Sequence, residues 1–354
     1  MNSIELLSNN PVRLVLIGTG LIGQKHATLV SAHDDCSLVG ICDVDPARRA
    51  VAEQHNVPFF QEIDELLDAT KPDGAIIATP NGLHAQAARV CAAHSVPMLI
   101  EKPIADTVEN AQQIIRLAAA AGVQVLVGHH RRHNPLVQAA CAIVQRGDIG
   151  TLVGVSVLWM LQKPDDYFNV AWRRERPGGG PALINLIHDI DNLRYICGEI
   201  RQVYAQSSSA VRGLAVEDAL SVNLRFANGA LGTILVADTT PAPWSYELTT
   251  GENPAYPQID ENCYHFCGTA GALAFPQMTL WRYPHAAQSG WLHPLAKTNY
   301  PIAPTDPLLA QLIHFCRVVR GVDEPFVSGR DAAQSLAAVL AILASAQSGQ
   351  AITL

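Results

Sequence analysis

The run Val12-Arg13-Leu14-Val15-Leu16-Ile17 feeds directly into Gly18-Thr19-Gly20-Leu21-Ile22-Gly23, a G-x-G-x-x-G loop between an apolar strand and a helical pattern. In such a loop the first glycine makes the tight strand-to-helix turn. The second lets the backbone approach a pyrophosphate, and the third lets the helix pack close to the strand. The helix N-terminus then turns its unpaired N–H groups toward the phosphates. A second apolar run, 37–42, ends in Asp43, at the distance of about 20 residues where this fingerprint expects an acid on the adenosine ribose. Its charge would repel a 2′-phosphate, so NAD is the expected cofactor rather than NADP.

A third apolar run, 97–100, ends in Glu101-Lys102-Pro103. That places an acid and an amine at the carboxyl edge of a parallel sheet, where doubly wound folds bind ligands. Lys102 is the candidate proton carrier. Beside a cationic nicotinamide and partly shielded from water, an amine is biased toward its neutral form and can exchange a proton with a substrate hydroxyl. Taken alone, the tripeptide reads by default as a surface lysine at a strand end.

Gly178-Gly179-Gly180-Pro181 opens a helix with proline in its first turn. Along 181–197, Asn185, His188 and Asp191 or Asn192 recur every three to four residues and share one face. Leu and Ile flank this polar stripe closely, which argues against a solvated face; the plain alternative for His188 is a hydrogen-bonded core histidine. His129, His130 and His133, beside Arg131 and Arg132, fall just past the last parallel strand, lining a cleft or simply exposed. Cys263 and Cys267 form a C-x-x-x-C without a second Cys or His pair, so no metal site is expected.

The elements that must hold these residues follow from hydropathy patterning. Over 12–128, strands at 12–17, 37–42, 74–78, 97–100 and 123–127 alternate with helices at 21–32, 46–54, 61–68, 83–93 and 107–120. That alternation predicts a doubly wound parallel sheet. After Gly128 the runs 151–161, 200–208, 219–226 and 230–237, spaced by Gly, Asn and Pro, predict a mostly antiparallel sheet with Asn228-Gly229 as a hairpin turn. The segments 239–262 and 284–307 are dense in Pro, Tyr and Asn and read as loops, and an Ala- and Leu-rich helix over 330–347 closes the chain. The expected architecture is α/β: a dinucleotide-binding domain over 1–128, then a substrate-binding and oligomerisation α+β domain over 129–354, with the closing helix able to pack back on the first domain.

Composition bounds the function. At 354 residues, 49% hydrophobic and 16% charged, the chain suits two domains with sizeable cores. A formal net charge of −8 without blocks of like charge argues against nucleic acid or an anionic membrane as the main partner. Eight scattered cysteines, several inside apolar runs, suit buried thiols in a reducing compartment rather than a disulfide framework. The first residues show no basic-then-apolar leader, and no apolar run is long enough to span a bilayer, so a cytoplasmic protein is expected.

Together these residues resemble the Gfo/Idh/MocA family of sugar and cyclitol oxidoreductases. The resemblance runs through Gly18 to Gly23, Asp43, Ala78-Thr79-Pro80-Asn81 with His84, Glu101-Lys102-Pro103, Arg132 with Pro135, Trp172-Arg173 and the Gly-rich lead into the His188 helix. It continues through Gly268-Thr269-Ala270-Gly271 and Val327-Ser328-Gly329-Arg330-Asp331, and order and spacing jointly carry it. It implies an N-terminal Rossmann domain, a second domain with a large open, mostly antiparallel sheet used for homo-oligomer contact, and hydride transfer between NAD and a hydroxyl or ketone carbon of a sugar, sugar acid, cyclitol or related cyclic polyol. By the same resemblance Gly18, Thr19, Gly20, Leu21, Ile22, Gly23, Asp43, Thr79, Pro80, Asn81, His84, Glu101 and Lys102 hold the cofactor. Lys102, Arg132, Trp172, Arg173, Asn185 and His188 meet the substrate, with Lys102 and His188 in proton transfer.

There is one departure from the family pattern. The usual Asp four residues before the His is Ile184 here, and Asn185, three before, is the polar candidate. Three and four residues turn an α-helix through about 300° and 400°, so both lie on the His188 side. Asparagine carries no proton and is expected to orient substrate. Two other functions fit the same resemblance. One is an NAD-using glycosidase, in which oxidation is transient and no net NADH accumulates. The other is a non-catalytic NAD-binding regulator, against which the presence of Lys102 and His188 argues.

Overall fold

Six short strands, β1 (Val12–Ile17), β2 (Cys36–Cys42), β3 (Phe59–Phe60), β4 (Gly74–Ile77), β5 (Met98–Ile100) and β6 (Val125–Val127), pair in parallel in the order β3-β2-β1-β4-β5-β6. Strands β1, β4, β5 and β6 are buried along almost their whole length, as near-continuous apolar runs must be when helices cover both faces. Helices α1 (Leu21–Ala32), α2 (Arg49–Gln54), α3 (Ile63–Thr70), α4 (His84–Ala93) and α5 (Val108–Ala121) make the connections. α5 starts where the Thr107 hydroxyl accepts the Asn110 N–H and stops at Gly122, whose φ of 67° closes the helix in the left-handed region. The computed structural model describes residues 10–285, 287 and 289–354.

The second sheet has nine strands. β7 (Leu152–Met160), β8 (Ile200–Ser208), β9 (Ala219–Phe226), β10 (Leu231–Ala237), β11 (Tyr264–Gly268), β12 (Ala272–Phe275), β13 (Thr279–Arg282), β14 (Ala296–Asn299) and β15 (Ile352–Thr353) run in the order β14-β13-β12-β11-β7-β10-β9-β8-β15. Every pairing is antiparallel except β7 with β10. Burial alternates along β9 and along β10 as far as Val236, so one face of the sheet enters the core and the other is exposed. The β9–β10 hairpin turns at Asn228-Gly229: Gly229 takes a φ of 89°, and the Asn228 side chain accepts the Ala230 N–H. Helices α6 (Pro135–Gln145), α7 (Ile187–Cys197) and the single turn α8 (Tyr246–Thr249) belong to the same unit.

The chain divides into two units: residues up to His130 with Leu308–Leu336, and Arg131–Pro307 with Ala337–Leu354. A single cut at 128 therefore leaves out a returning segment, α9 (Pro307–Val319) and the first turns of α10 (Gly329–Ser348). The physical reason lies at β4 and β6. Phe315 and Val319 of α9 come so close to Gly74 that a Cβ there would sit 3.2 and 3.0 Å from them, and Val127 of β6 donates its N–H to Val327 O at 2.9 Å. β14 lies inside 284–307, read from sequence as loop, and α6, α9 and β11 to β13 add elements that periodicity alone does not single out. Among the described residues no helix is long and apolar enough to cross a membrane.

Candidate active site

In the first unit the glycine loop has the shape of a ligand cradle. Gly18 takes a φ of 93°, and a Cβ on it would lie 2.7 Å from the Ala78 and Thr79 backbone, which excludes any other residue. A Cβ on Gly23 would lie 2.2 Å from Gly18 O, so α1 packs directly on the strand end. Gly20 is different: a Cβ there would meet nothing within 4 Å, because this side of the loop is open. Gly20 is also the N-cap of α1 and supplies no side-chain cap, so the donors of the first turn point into the same open space. Leu21 is exposed and Ile22 half-buried. The Thr79 hydroxyl, on the loop after β4, is buried and has no partner among the described residues. An open glycine, an uncapped helix start and an orphaned hydroxyl are what a dinucleotide would complete.

Asp43 stands at the end of β2, but its carboxylate is already engaged. One oxygen accepts the Thr19 N–H at 2.8 Å and the Thr19 hydroxyl at 2.6 Å, and the other accepts the Asp45 N–H at 3.0 Å. The residue expected to face a ribose thus also clamps the glycine loop.

Glu101 and His84 point inward. Glu101 is buried, with Oε1 2.7 Å from His26 Nε2 of α1 and Oε2 accepting the Lys102 N–H at 3.2 Å. Burial alone would raise its carboxyl, but the His26 hydrogen bond and the charges of His26, His130 and Lys102 outweigh it and bring the pKa down to about 2. His84 is buried between the carbonyls of Pro103, 3.0 Å from Nδ1, and Thr79, 2.9 Å from Nε2, joining the loops that follow β4 and β5. Burial pushes its pKa down, against the pull of those two carbonyls. Both residues therefore position the loops around Lys102, which itself is half-buried. Pro80 is exposed, and Asn81 opens the short turn Asn81–Leu83 before α4.

In the second unit the helix carrying His188 does not begin as an α-helix. Residues Ala182–Leu186 form one π-turn, in which Ile187 donates its N–H to Ala182 O, five residues back, before regular α7 begins. The α-helical angle used to place Ile184 and Asn185 relative to His188 therefore does not hold there. The glycines ahead of the helix are required by crowding: a Cβ on Gly179 would lie 2.7 Å from three carbonyl oxygens of Trp172, Arg173 and Glu175. A Cβ on Gly180 would lie 2.4 Å from Glu217, whose carboxylate accepts the first helical N–H, that of Ala182.

The polar stripe on this helix separates into distinct partnerships. Asn185 accepts a hydrogen bond from Lys163 Nζ at 2.8 Å. Asp191 binds the Arg132 guanidinium with both oxygens at 2.7 Å, a buried two-bond ion pair that ties Arg132 to α7. Asp189 accepts the Tyr264 hydroxyl and lies 3.5 Å from Arg131, which also holds Glu247 at 2.7 Å. Burial raises the Asp189 carboxyl to about 7, since Arg131 is shared between two acids. His188 is buried on α7. Trp172 is exposed, and Arg173 lies over the Tyr167 ring at 4.1 Å.

Lys163, Asp238 and Tyr167 are not among the residues singled out from sequence, although Lys163 carries a signal that marks it. Lys163 closes an apolar run and precedes a proline, the same signal that singles out Lys102-Pro103. Asp238 follows β10, and nothing local marks it; only the parallel pairing of β10 with β7 brings it to Lys163.

A family model described as "Oxidoreductase family, NAD-binding Rossmann fold" matches residues 12–129, and one described as "GFO/IDH/MocA C-terminal domain" matches 137–274. The uncharacterized oxidoreductase YrbE of Bacillus subtilis is 28% identical over 62% of this chain, and the match spans 65% of that relative, just under two thirds of its length. Myo-inositol 2-dehydrogenase of Thermotoga maritima is 30% identical, over 63% of this chain and 67% of the relative. Among solved structures, the WlbA dehydrogenase of Bordetella pertussis, in complex with NADH and UDP-GlcNAcA, is 26% identical with a TM-score of 0.79, covering 97% of this chain and 99% of that one.

Proposed function

The chain belongs to the Gfo/Idh/MocA family of NAD-binding oxidoreductases, and we propose that it transfers a hydride between NAD and a hydroxyl or ketone carbon of a sugar, sugar acid, cyclitol or related cyclic polyol. The observation that carries this reading is the position of Lys102. It follows β5 at the carboxyl edge of the parallel sheet, two strands from the β1 glycine loop, with the Thr79 loop of β4 between them. The relative named for myo-inositol and the dehydrogenase solved with UDP-GlcNAcA support the polyol class.

NAD, when bound, supplies the hydride acceptor. Gly18 to Gly23 and the first-turn N–H groups of α1 hold the pyrophosphate, and the acceptor capacity left on Asp43 favours ribose hydroxyls over a 2′-phosphate. Lys102 accepts the proton of the substrate hydroxyl as its carbon is oxidised and returns it in reduction. His188 is the second proton carrier. Asn185 orients a neighbouring hydroxyl without exchanging a proton, and Trp172 and Arg173 contact the substrate from the loop before the glycines.

Screening the purified chain with NAD against sugars, inositols, aldonates and dihydrodiols tests the reading. Steady NADH formation with at least one compound supports it. Release of a leaving group without net NADH assigns the chain to glycosidase chemistry, and NAD binding without turnover of any compound assigns it to regulation. In the same reading the chain self-associates through the exposed face of the nine-strand sheet. Register places Leu231, Leu235 and Trp281 on that face, all exposed. Light scattering giving a monomer mass would contradict that part.

A further inference from the structure

Two cations, Lys163 and Arg212, share one carboxylate, that of Asp238, beside Asn185. Asp238 is buried, and its oxygens are taken by Arg212 and, at 3.3 Å, by Lys163 Nζ. Arg212 spends its other end on the Asp238 and Lys163 carbonyls and lies over Phe168. The remaining acid near Lys163, Glu247, is held by Arg131 and by the Trp159 indole N–H at 2.9 Å. Lys163 is 8% exposed, and its ammonium has three donors, of which Asn185 and Asp238 use two. Among the described residues these are its two oxygen acceptors, and the Trp159 ring centroid lies 5.7 Å from Nζ. Lys163 and Arg173 also share one aromatic ring: Nζ lies 4.8 Å and the Arg173 guanidinium carbon 4.1 Å from the Tyr167 centroid. Arg173 donates one N–H to Tyr167 O at 3.0 Å, while its Nε is buried without a partner among the described residues.

A buried ammonium with donor capacity left and a buried, unpartnered guanidinium N–H, next to a side chain assigned above to substrate, suit an anion. We propose that Lys163 and Arg173 form a subsite for a carboxylate carried by the substrate, so that the polyol oxidised here is an acid, of the aldonate or uronate class, rather than a neutral sugar or cyclitol. The carboxylate accepts the third Lys163 N–H and the Arg173 Nε–H, and Asn185 binds next to it. Burial pushes the Lys163 ammonium below the ordinary lysine value, against the pull of Asp238 and Glu247.

The inference rests on the oxidoreductase reading, and the test separates the two. Calorimetric titration of the NAD-loaded chain compares D-gluconate with D-glucitol, D-galactonate with galactitol, and D-glucuronate with D-glucose. In at least one pair the acid is expected to bind about 10-fold tighter or more, the range for hydrogen bonds to charged groups. Lys163→Met and Arg173→Ala should each bring that ratio toward unity, and the second, on a half-buried loop residue, keeps the test open if the first does not fold. A panel in which no acid binds tighter than its neutral partner, or a preference that survives in folded Arg173→Ala protein, overturns the subsite. Should the acids bind tighter yet yield no NADH, the subsite stands and the oxidoreductase reading falls. Should neutral polyols reduce NAD while the acids show no advantage, the oxidoreductase reading stands and the subsite falls.

Discussion

The carboxylate of Asp43 accepts both the N–H and the hydroxyl of Thr19, at 2.8 and 2.6 Å, so one residue both shapes the glycine loop and presents charge at the end of β2. Two variants separate these roles. Asp43→Ser should weaken NAD binding and narrow the gap between NAD and NADP, because it removes clamp and charge together. Thr19→Val should weaken both cofactors alike and leave their ratio in place. Titration of each variant with both cofactors checks this, and equal affinity of the unmodified chain for NAD and NADP would exclude Asp43 as the discriminator.

The buried His26–Glu101 pair makes stability depend on acid pH. The Glu101 pKa lies below its ordinary value, so the pair stabilises the fold above about 4.5, and that contribution is lost as pH falls toward about 2. The shift corresponds to roughly 3 kcal/mol at neutral pH. Denaturant melts of Glu101→Gln should show a loss of that order at pH 7 that shrinks as pH falls through this window. A difference between variant and parent that does not change with pH would show that Glu101 is not held ionised.

Asp189 should have the opposite effect. Its carboxyl is raised by burial from 3.8 to about 7, so the folded state resists an ionisation that the unfolded chain undergoes freely. Its contribution to stability therefore declines as pH rises from about 4 to about 7. Asp189→Asn should remove that decline and gain on the parent toward pH 8 in thermal melts; a constant offset between the two would refute the shifted carboxyl.

On the π-turn, Asn185→Ala should act mainly on KM, because it removes an orienting amide and the acceptor of Lys163. His188→Ala should lower kcat and change its pH dependence. Ile184→Asp places an unpaired acid at a half-buried site, so lost stability with no gain in rate is expected. Steady-state kinetics across pH reads all three, and a faster Ile184→Asp enzyme would overturn the division of roles.

The parallel half of the fold is legible because its signals are local. Glycine spacing, the apolar runs and the cap at Thr107 each lie within a few residues of what they specify. The same locality explains what sequence spacing does not reach. Gly74 gives no hint that Phe315 and Val319 will cover it, since that contact closes over more than half the chain. Lys163 and Asp238 acquire their meaning only through the pairing of β7 with β10. The π-turn is hidden because Ala182 to Leu186 has ordinary α-helical composition; what departs is the hydrogen-bond pattern. For Glu101, position points outward from a strand end while the side chain turns in to His26, a choice made by tertiary electrostatics and not by sequence spacing.

The central claim, that Lys102 moves the proton while the glycine loop holds the cofactor, is tested most directly by measuring kcat and NAD affinity together in Lys102→Met. The account predicts a loss of turnover of about 10²–10⁴-fold or more with NAD affinity close to that of the parent. A variant that forms NADH at a near-normal rate at neutral pH would contradict it.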